Sequence, residues 1–145
     1  MSSYYTPSIE EFHIGFEYES EEDPIQGKWE KQKVNDYRDL INCMNYYGKD
    51  SDVDTRVKYL DQKNIESFNF EFLGKGVVDW YSIKKETTPG SRHKITEYKL
   101  SHNSNTNEII IEAYFDKQSE GVVFEGFIIN KSELKRLLKQ LNIDE

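Results

Sequence analysis

Four aspartates at calcium-loop spacing form the most specific chemical pattern in this sequence. Asp50, Asp52 and Asp54 stand at positions one, three and five of such a loop, and Asp61 stands at position twelve. Alternate carboxylates suit a hard cation that takes oxygen ligands. Position six, however, is Thr55 instead of glycine, and position twelve is Asp instead of a bidentate Glu. The departures favour a polar turn with local hydrogen bonds over a metal site, and we predict no cofactor.

The sequence lacks the residue patterns that nucleophilic catalysis or zinc binding requires. The sequence contains no nucleophile elbow, glycine-rich phosphate loop or zinc-protease helix. Cys43 lies next to Met44 in a predicted helix, which favours an inert, partly buried thiol. His13, His93 and His102 show no close paired spacing with each other or with Cys43. We therefore predict that the protein is not an enzyme.

The N-terminal segment differs from the rest of the chain in charge. No basic residue precedes Lys28, whereas seven acidic residues lie within the first 23 positions. The other acidic residues nearly balance the 19 lysines and arginines, so this segment carries most of the formal net charge of -8. A negative segment disfavours duplex nucleic acid as a partner, because phosphate binding depends on clustered basic residues.

Apolar and polar residues alternate from Phe12 to Glu19, which predicts a half-buried strand. Its aromatic rings and Ile14 would face a core, and its glutamates would face outward. An acidic, aromatic strand can add to the sheet edge of a neighbour or present a negative surface to a basic protein. The predicted partner-binding residues are Phe12, His13, Phe16, Glu17, Tyr18, Glu19, Glu21 and Glu22.

Aromatic and basic residues in the second half of the chain leave single-stranded nucleic acid open as an alternative partner. Exposed rings on strands can stack bases while basic side chains contact phosphates. The aromatic candidates are Trp80, Tyr81, Tyr98, Tyr114, Phe124 and Phe127. The basic candidates are Lys84, Lys85, Arg92, Lys94, Lys131, Lys135, Arg136 and Lys139.

The elements that position these residues follow from the hydrophobic period. Residues 28–34 can return beside the first strand, with Trp29, Lys31 and Lys33 on one face opposite its glutamates. A helix over 36–47 is predicted from apolar residues at helical spacing, with Asn35 or Asp36 as N-cap. Asp61 can cap a single helical turn through Glu66.

Short strands separated by turns dominate the second half and predict an antiparallel meander over 56–129. Gly74-Lys75-Gly76 is expected to form one of its turns. In the strand over 108–115, Glu108, Glu112 and Tyr114 face away from the apolar residues. Asn130 and Glu133 then mark the start of a C-terminal amphipathic helix over 131–141 that must pack on the sheet.

These elements predict an α+β fold in one domain over 1–145, mostly antiparallel sheet with one internal helix and the C-terminal helix packed on it. The N-terminal strand or hairpin would occupy 1–34. No apolar run approaches the length of a membrane span, so we expect no membrane partner. With one cysteine and no secretory signal pattern, a reducing compartment is expected.

Three stretches carry a resemblance to known sequences: Tyr5 to Glu19, Val57 to Asp61 with Ile65 to Ser67, and Phe124 to Gly126 with Ile129 to Leu141. In order, they resemble the opening, middle and ending of small uncharacterised proteins of Bacteroides-type bacteria and their crAss-like tailed phages. Phe68-Asn69 stands where Leu-Gly is expected. The resemblance implies a phage setting in the bacterial host cytoplasm or the virion, and it transfers no catalytic residues.

The expected function is that of a phage-associated accessory protein that binds another protein, of phage or host origin. Both a virion or assembly component and an inhibitor of a host factor fit this expectation. A single-stranded nucleic-acid-binding protein is the alternative.

Overall fold

The computed structural model describes residues 3–23, 27–46, 54–87, 94–115 and 117–143. The chain divides into two compact units, Met1–Tyr59 and Leu60–Glu145. Each unit has its own antiparallel sheet and its own hydrophobic core. The predicted α+β fold class is therefore confirmed. Folding as one cooperative domain over 1–145 stays a prediction.

The N-terminal unit is built on a four-stranded sheet in the order β1-β4-β2-β3. Its strands are β1 (Tyr4–Tyr5), β2 (Glu17–Asp23), β3 (Lys28–Lys33) and β4 (Thr55–Lys58). A 3₁₀ turn spans Ile9–Glu11, and helix α1 spans Tyr37–Tyr46. Asp36 caps α1, because its Oδ1 accepts a hydrogen bond of 2.9 Å from the Asp39 amide. The predicted end of this helix at Tyr47 and Gly48 lies outside the described residues.

The hairpin of β2 and β3 has the register that the charge pattern predicts. Glu17 pairs with Lys33, Glu19 with Lys31, and Glu21 with Trp29. Directly opposed residues of an antiparallel pair share a face, so the glutamates lie beside the lysines as expected.

Strand β2 begins at Glu17, so the predicted start of a strand at Phe12 is wrong. A tight turn precedes it, in which the Phe16 amide donates to the His13 carbonyl at 3.0 Å. Gly15 has a φ of 93°, a conformation that glycine adopts at little cost. The turn leaves the Ile14 side chain 45% exposed, although the alternation assigned it to the core.

The core of the N-terminal unit is largely aromatic. The Phe12 ring lies 4.9 Å from the Phe16 ring and 5.0 Å from the Tyr18 ring, both in edge-to-face arrangements. Such pairs contribute about 0.5–1.5 kcal/mol each beyond the burial of their surface. The buried members of this cluster are Phe12, Phe16, Tyr18, Val34, Cys43 and Val57.

The C-terminal unit is a five-stranded meander in chain order. Its strands are β5 (Glu71–Lys75), β6 (Asp79–Thr87), β7 (Lys94–Asn103), β8 (Glu108–Phe115) and β9 (Gln118–Phe127). The meander therefore begins at Glu71 and not at residue 56, because Thr55–Lys58 pairs in the other sheet. In chain order, helix α2 (Gln62–Glu66) follows β4 and precedes β5, and Asp61 is its N-cap, as predicted. The turn between β5 and β6 falls at 76–78, so it shares Gly76 with the predicted turn over 74–76 and is shifted by two residues.

Helix α3 (Lys131–Gln140) covers one face of this meander, as the leucine stripe predicted. Leu134, Leu137 and Leu138 are buried in the same cluster as Leu100 and Ile111 from the strands. We call this covered side the inner face and the opposite side the outer face. None of the described helices is long and apolar enough to cross a membrane.

The N-cap of α3 stabilises the first turn of that helix. Asn130 Oδ1 accepts a hydrogen bond of 2.9 Å from the Glu133 amide, which otherwise has no partner in the first turn of the helix. We expect Asn130→Ala to lower the free energy of unfolding by about 1–2 kcal/mol, measured by urea denaturation. Asn130→Asp retains a capping oxygen and is the matched control. Equal stability of the Ala variant and the wild type would contradict this role.

Candidate protein-binding site

The predicted N-terminal binding residues divide between the core and the surface. The rings of Phe12, Phe16 and Tyr18 are buried, so they anchor the segment and offer no contact area. The ring of His13 is half-buried, and its Nδ1 donates to the Glu11 carbonyl at 2.8 Å. Glu22 lies in β2, but its side chain is outside the described part of the structure.

The remaining three predicted residues share the outward face of the four-stranded sheet. Glu17 is exposed, and Glu19 and Glu21 are half-buried. The register places Lys31 and Lys33 beside them on β3. On β4, Arg56 pairs with Glu19, and Lys58 lies two residues further along on the same side. The four basic residues thus outnumber the three glutamates among the described side chains, and this face has no excess of negative charge.

Arg56 contacts one carboxylate and two aromatic rings on that face. Its Nε donates to Glu19 Oε2 at 3.2 Å. The centre of its guanidinium group lies 3.9 Å from the centroid of the Tyr4 ring and 4.2 Å from that of the Trp29 ring. A planar cation between two aromatic rings is a favourable arrangement. Arg56 therefore links all four strands of the N-terminal sheet, and sequence reasoning missed it because its partners are distant in the chain.

The predicted calcium-loop pattern is only partly within the described residues. Asp50 and Asp52 lie outside them. The Asp54 carbonyl accepts a hydrogen bond of 3.0 Å from the Glu21 amide. Asp61 Oδ1 accepts one of 2.9 Å from the Asn64 amide as a helix cap. Among the described residues, no group of three or more His, Cys, Asp or Glu side chains is placed to hold a metal ion.

The aromatic and basic residues of the nucleic-acid alternative do not gather on one face of the meander. Tyr81 is fully buried, and Tyr98 and Phe124 pack against the same core. The basic residues of α3 lie on the helix that covers the inner face. The rings left on the outer face are those of Trp80, Tyr114 and Phe127. Arg92 lies outside the described residues, as does the side chain of Lys94.

An acidic surface with exposed apolar residues occurs instead on the outer face of the five-stranded sheet. Trp80, Val122 and Phe127 are 44%, 55% and 66% exposed. Strand pairing places Ile110 and Tyr114 on the same face. The described charged residues of this face are Glu71, Glu97, Glu108, Glu112 and Glu125, against Lys84 and Lys99. Negative charge is therefore in excess.

Two hydroxyl groups donate hydrogen bonds to one carboxylate at the centre of the outer face. The Ser119 hydroxyl donates to Glu112 Oε1, and the Tyr114 hydroxyl donates to Glu112 Oε2 at 3.0 Å. These bonds, first from Ser119 and then from Tyr114, lower the pKa of Glu112. The Lys99 ammonium lies 4.6 Å from the centroid of the Tyr114 ring. One of the two lysines is thus already occupied by a neighbouring ring.

The sequence contained part of the signal for this surface. The alternation that turns Glu108, Glu112 and Tyr114 away from the apolar residues of β8 is confirmed by their pairing. The sequence does not reveal that Trp80 and Phe127 join the same face, because that depends on the register of three strand pairs.

The inner face contains two buried polar atoms that lack hydrogen-bond partners among the described residues. They are the Tyr81 hydroxyl oxygen and His102 Nε2. Asp79 pairs directly with His102, and Tyr81 lies two residues further along β6 on the same face. Burial, followed by the charges of Asp79, Glu66 and Asp61, raises the pKa of Tyr81 to about 12. Burial also lowers the pKa of His102, with Asp79 and Asp61 opposing it.

The contacts of Arg56 predict that its shape matters more than its charge. An ion pair at a partly exposed position contributes about 1 kcal/mol or less, and each ring contact contributes a similar amount. We expect Arg56→Ala to lower the free energy of unfolding by about 1–2 kcal/mol in urea denaturation. Arg56→Lys keeps the charge and should recover less than half of the loss. Full recovery with lysine would contradict the stacking argument.

The burial of His102 predicts a loss of stability in mild acid. The unfolded chain takes up a proton at the ordinary pKa of 6.5, whereas the folded chain takes it up only at lower pH. Stability from the neutral ring is therefore complete above that value and falls as the pH decreases towards the lowered pKa. We expect the Tm of the wild type to fall more steeply than that of His102→Leu from about pH 7.5 to 5.5. The control His13→Leu should keep the steep dependence, and parallel profiles of wild type and His102→Leu would refute the prediction.

Comparisons of this chain with protein-family models, with curated proteins and with solved structures found no match. The described surfaces differ in exposed apolar area and in charge. Of these surfaces, the outer face of the five-stranded sheet combines exposed apolar area with uncompensated charge.

Proposed function

We propose that this chain is a phage-associated accessory protein that binds another protein without catalysis, through the outer face of its five-stranded sheet. The observation that carries the proposal is the excess of glutamates over lysines around exposed Trp80, Val122 and Phe127. Exposed apolar patches rimmed by charged groups are typical of sites that bind macromolecules. The charge selects a basic partner surface.

The apolar residues supply the contact area that such binding requires. Aromatic residues are enriched at protein interfaces because they bury much surface with little loss of side-chain freedom. Trp80 lies on β6 and Phe127 at the end of β9, so the apolar positions are spread across the sheet. Ile110 and Tyr114 lie between them on β8. A partner covering this face would contact rings and carboxylates together.

The outward face of the N-terminal sheet is less suited to bind a basic partner. Its glutamates are accompanied by Lys31, Lys33 and Arg56, and Glu19 already forms an ion pair. A partner would have to displace those contacts before it gained from the charge of Glu17 or Glu21. The predicted role of the N-terminal residues in binding remains a separate hypothesis.

Single-stranded nucleic acid fits the outer face poorly. Its exposed rings are surrounded by more carboxylates than ammonium groups, and carboxylates repel phosphates. The basic residues of α3 accompany the helix on the inner face, so a short strand would not contact both sets. A basic protein surface meets neither obstacle.

The phage setting is proposed from the resemblance of three sequence stretches to small proteins of Bacteroides-type bacteria and their crAss-like phages. A virion component and an inhibitor of a host factor both act by binding a protein. Either role therefore requires a protein-binding surface. The partner belongs to the phage or to its host.

Charge reversal tests the proposed surface. The outer-face variant is Glu108→Lys/Glu125→Lys, and the matched variant on the N-terminal sheet is Glu17→Lys/Glu21→Lys. Each protein, shown to be folded by circular dichroism, is used as bait in lysate of phage-infected cells, and bound proteins are identified by mass spectrometry. We expect the wild type and the N-terminal variant to recover the same partner, and the outer-face variant to lose it.

Two results would contradict the proposal. The first is loss of the partner by the N-terminal variant with retention by the outer-face variant, which would move the site to Glu17 and Glu21. The second is wild-type binding to a single-stranded oligonucleotide at low salt that weakens steeply as salt rises, since this dependence identifies phosphate contacts.

A further inference from the structure

Strand β9 forms one edge of the five-stranded sheet and pairs with β8 alone among the described strands. It is ten residues long and contains neither lysine nor proline. Edge strands are usually protected by short length, lysine, proline or bulges, because their unpaired backbone groups attract other strands. Most of β9 is exposed, and its side chains include Val122, Val123 and Phe127.

Bulges protect only the first part of this edge. Register shifts between Ile111 and Glu112 and between Ala113 and Tyr114 place the extra residues of β9 at Val123 and Glu120. From Phe124 to Phe127 the pairing with β8 is regular. A bulge twists a strand and interrupts its row of donors and acceptors, so the regular stretch is the part that another strand can join.

The backbone of this regular stretch has a defined orientation. Phe127 pairs with Glu108, and the next amide, that of Ile128, donates to the Asn107 carbonyl at 3.0 Å. In an antiparallel pair, successive residues alternate between facing the neighbouring strand and facing away from it. The N–H and C=O groups of Phe127 and Glu125 therefore point away from β8, towards the open edge.

The side chains beside these backbone groups define what an incoming strand would meet. Glu125 and Phe127 are exposed on the outer face. On the other side, the Phe124 ring lies over Gly126, where an added Cβ would be 2.9 Å from Phe124 Cζ. The open edge thus offers a carboxylate and a large ring two residues apart on one side, and the flank of an aromatic ring on the other.

We infer that β9 accepts an extended segment of the partner protein as an additional strand, paired to Glu125 and Phe127. The segment carries a lysine or arginine beside Glu125 and an apolar residue two positions away beside Phe127. This mode of binding takes its affinity from backbone hydrogen bonds and its specificity from alternate side chains. The inference rests on the proposed function and specifies the partner at the same surface.

A second copy of this chain fits the same edge less well. Antiparallel pairing of the two regular stretches about Gly126 places the Glu125 carboxylates of the two copies diagonally across the new strand pair and joins two outer faces that each carry an excess of glutamates. Like charges that lie close together on one face destabilise a strand pair. The charge of the edge therefore favours a basic segment of another protein.

Peptides of matched composition test the inference on the full chain. The probe is an end-blocked ten-residue peptide in which threonines alternate with lysine and leucine. One control has glutamate in place of lysine, and the other has N-methyl groups on alternate backbone amides. By fluorescence anisotropy we expect each control to bind at least about tenfold more weakly than the probe. Hydrogen exchange at the Glu125 and Phe127 amides should slow when the probe is bound.

Variants of the protein locate the contact. Glu125→Pro removes an outward N–H without removing a hydrogen bond to β8, so it should abolish probe binding while the sheet remains folded. Glu125→Lys should weaken binding, whereas the matched control Glu71→Lys, on β5 at the opposite edge, should not. A loss of binding with Glu125→Pro that is larger than the loss with Glu125→Lys, together with retention in Glu71→Lys, would support strand addition.

Three results would overturn the inference. Equal binding of the probe and its N-methylated form would exclude strand addition and leave the proposed protein-binding face intact. Absence of binding by the probe, or equal binding of its glutamate form, would exclude the stated partner chemistry. A wild-type dimer in analytical ultracentrifugation that Glu125→Pro converts to monomer would identify a second copy as the occupant.

Discussion

Burial of the α3 leucines against one face of the five-stranded sheet is the contact on which the rest of the C-terminal unit depends. Leu134 and Leu138 are almost completely buried beside Leu100 and Ile111. A helix of ten residues can cover one face of a sheet, and the alternation of strand side chains then assigns every other residue to the opposite face. The identity of the outer-face residues is therefore a direct consequence of where the helix packs.

The glutamates of the two sheets differ in their charged neighbours. In the N-terminal sheet, the glutamates of β2 lie beside lysines of β3 and Arg56 of β4, and the guanidinium is held between two rings. In the C-terminal sheet, Glu108 and Glu125 flank exposed apolar side chains with few cations nearby. Glutamates that lie beside basic residues stabilise the fold, whereas uncompensated glutamates beside apolar surface remain available to a partner.

Local chemistry made much of this fold predictable. Asp36, Asp61 and Asn130 all act as the helix caps that their positions suggested, because capping depends on residues three positions apart. The hairpin register followed from complementary charges on adjacent strands. These features depend on residues close together in the sequence, where spacing determines proximity.

The incorrect or missing predictions involve turns and distant pairings. The alternation from Phe12 continues through a turn at Gly15, because buried rings on either side of a turn can imitate the period of a strand. Residues 55–58 have the composition of another meander strand, but they pair with β1 and β2. The candidate site was missed for the same reason, since Trp80 and Phe127 meet on one face only through the register of the intervening strands.

The pairing of Tyr4 with Lys58 has a consequence for the order in which the chain folds. Closure of the N-terminal sheet requires a contact across almost the whole unit, whereas each strand of the meander pairs with its neighbour in the chain. Non-local contacts cost more loop entropy and form more slowly. During synthesis, the N-terminal unit therefore cannot complete its sheet until β4 has emerged, and Val57 of that strand cannot cover the aromatic cluster before then.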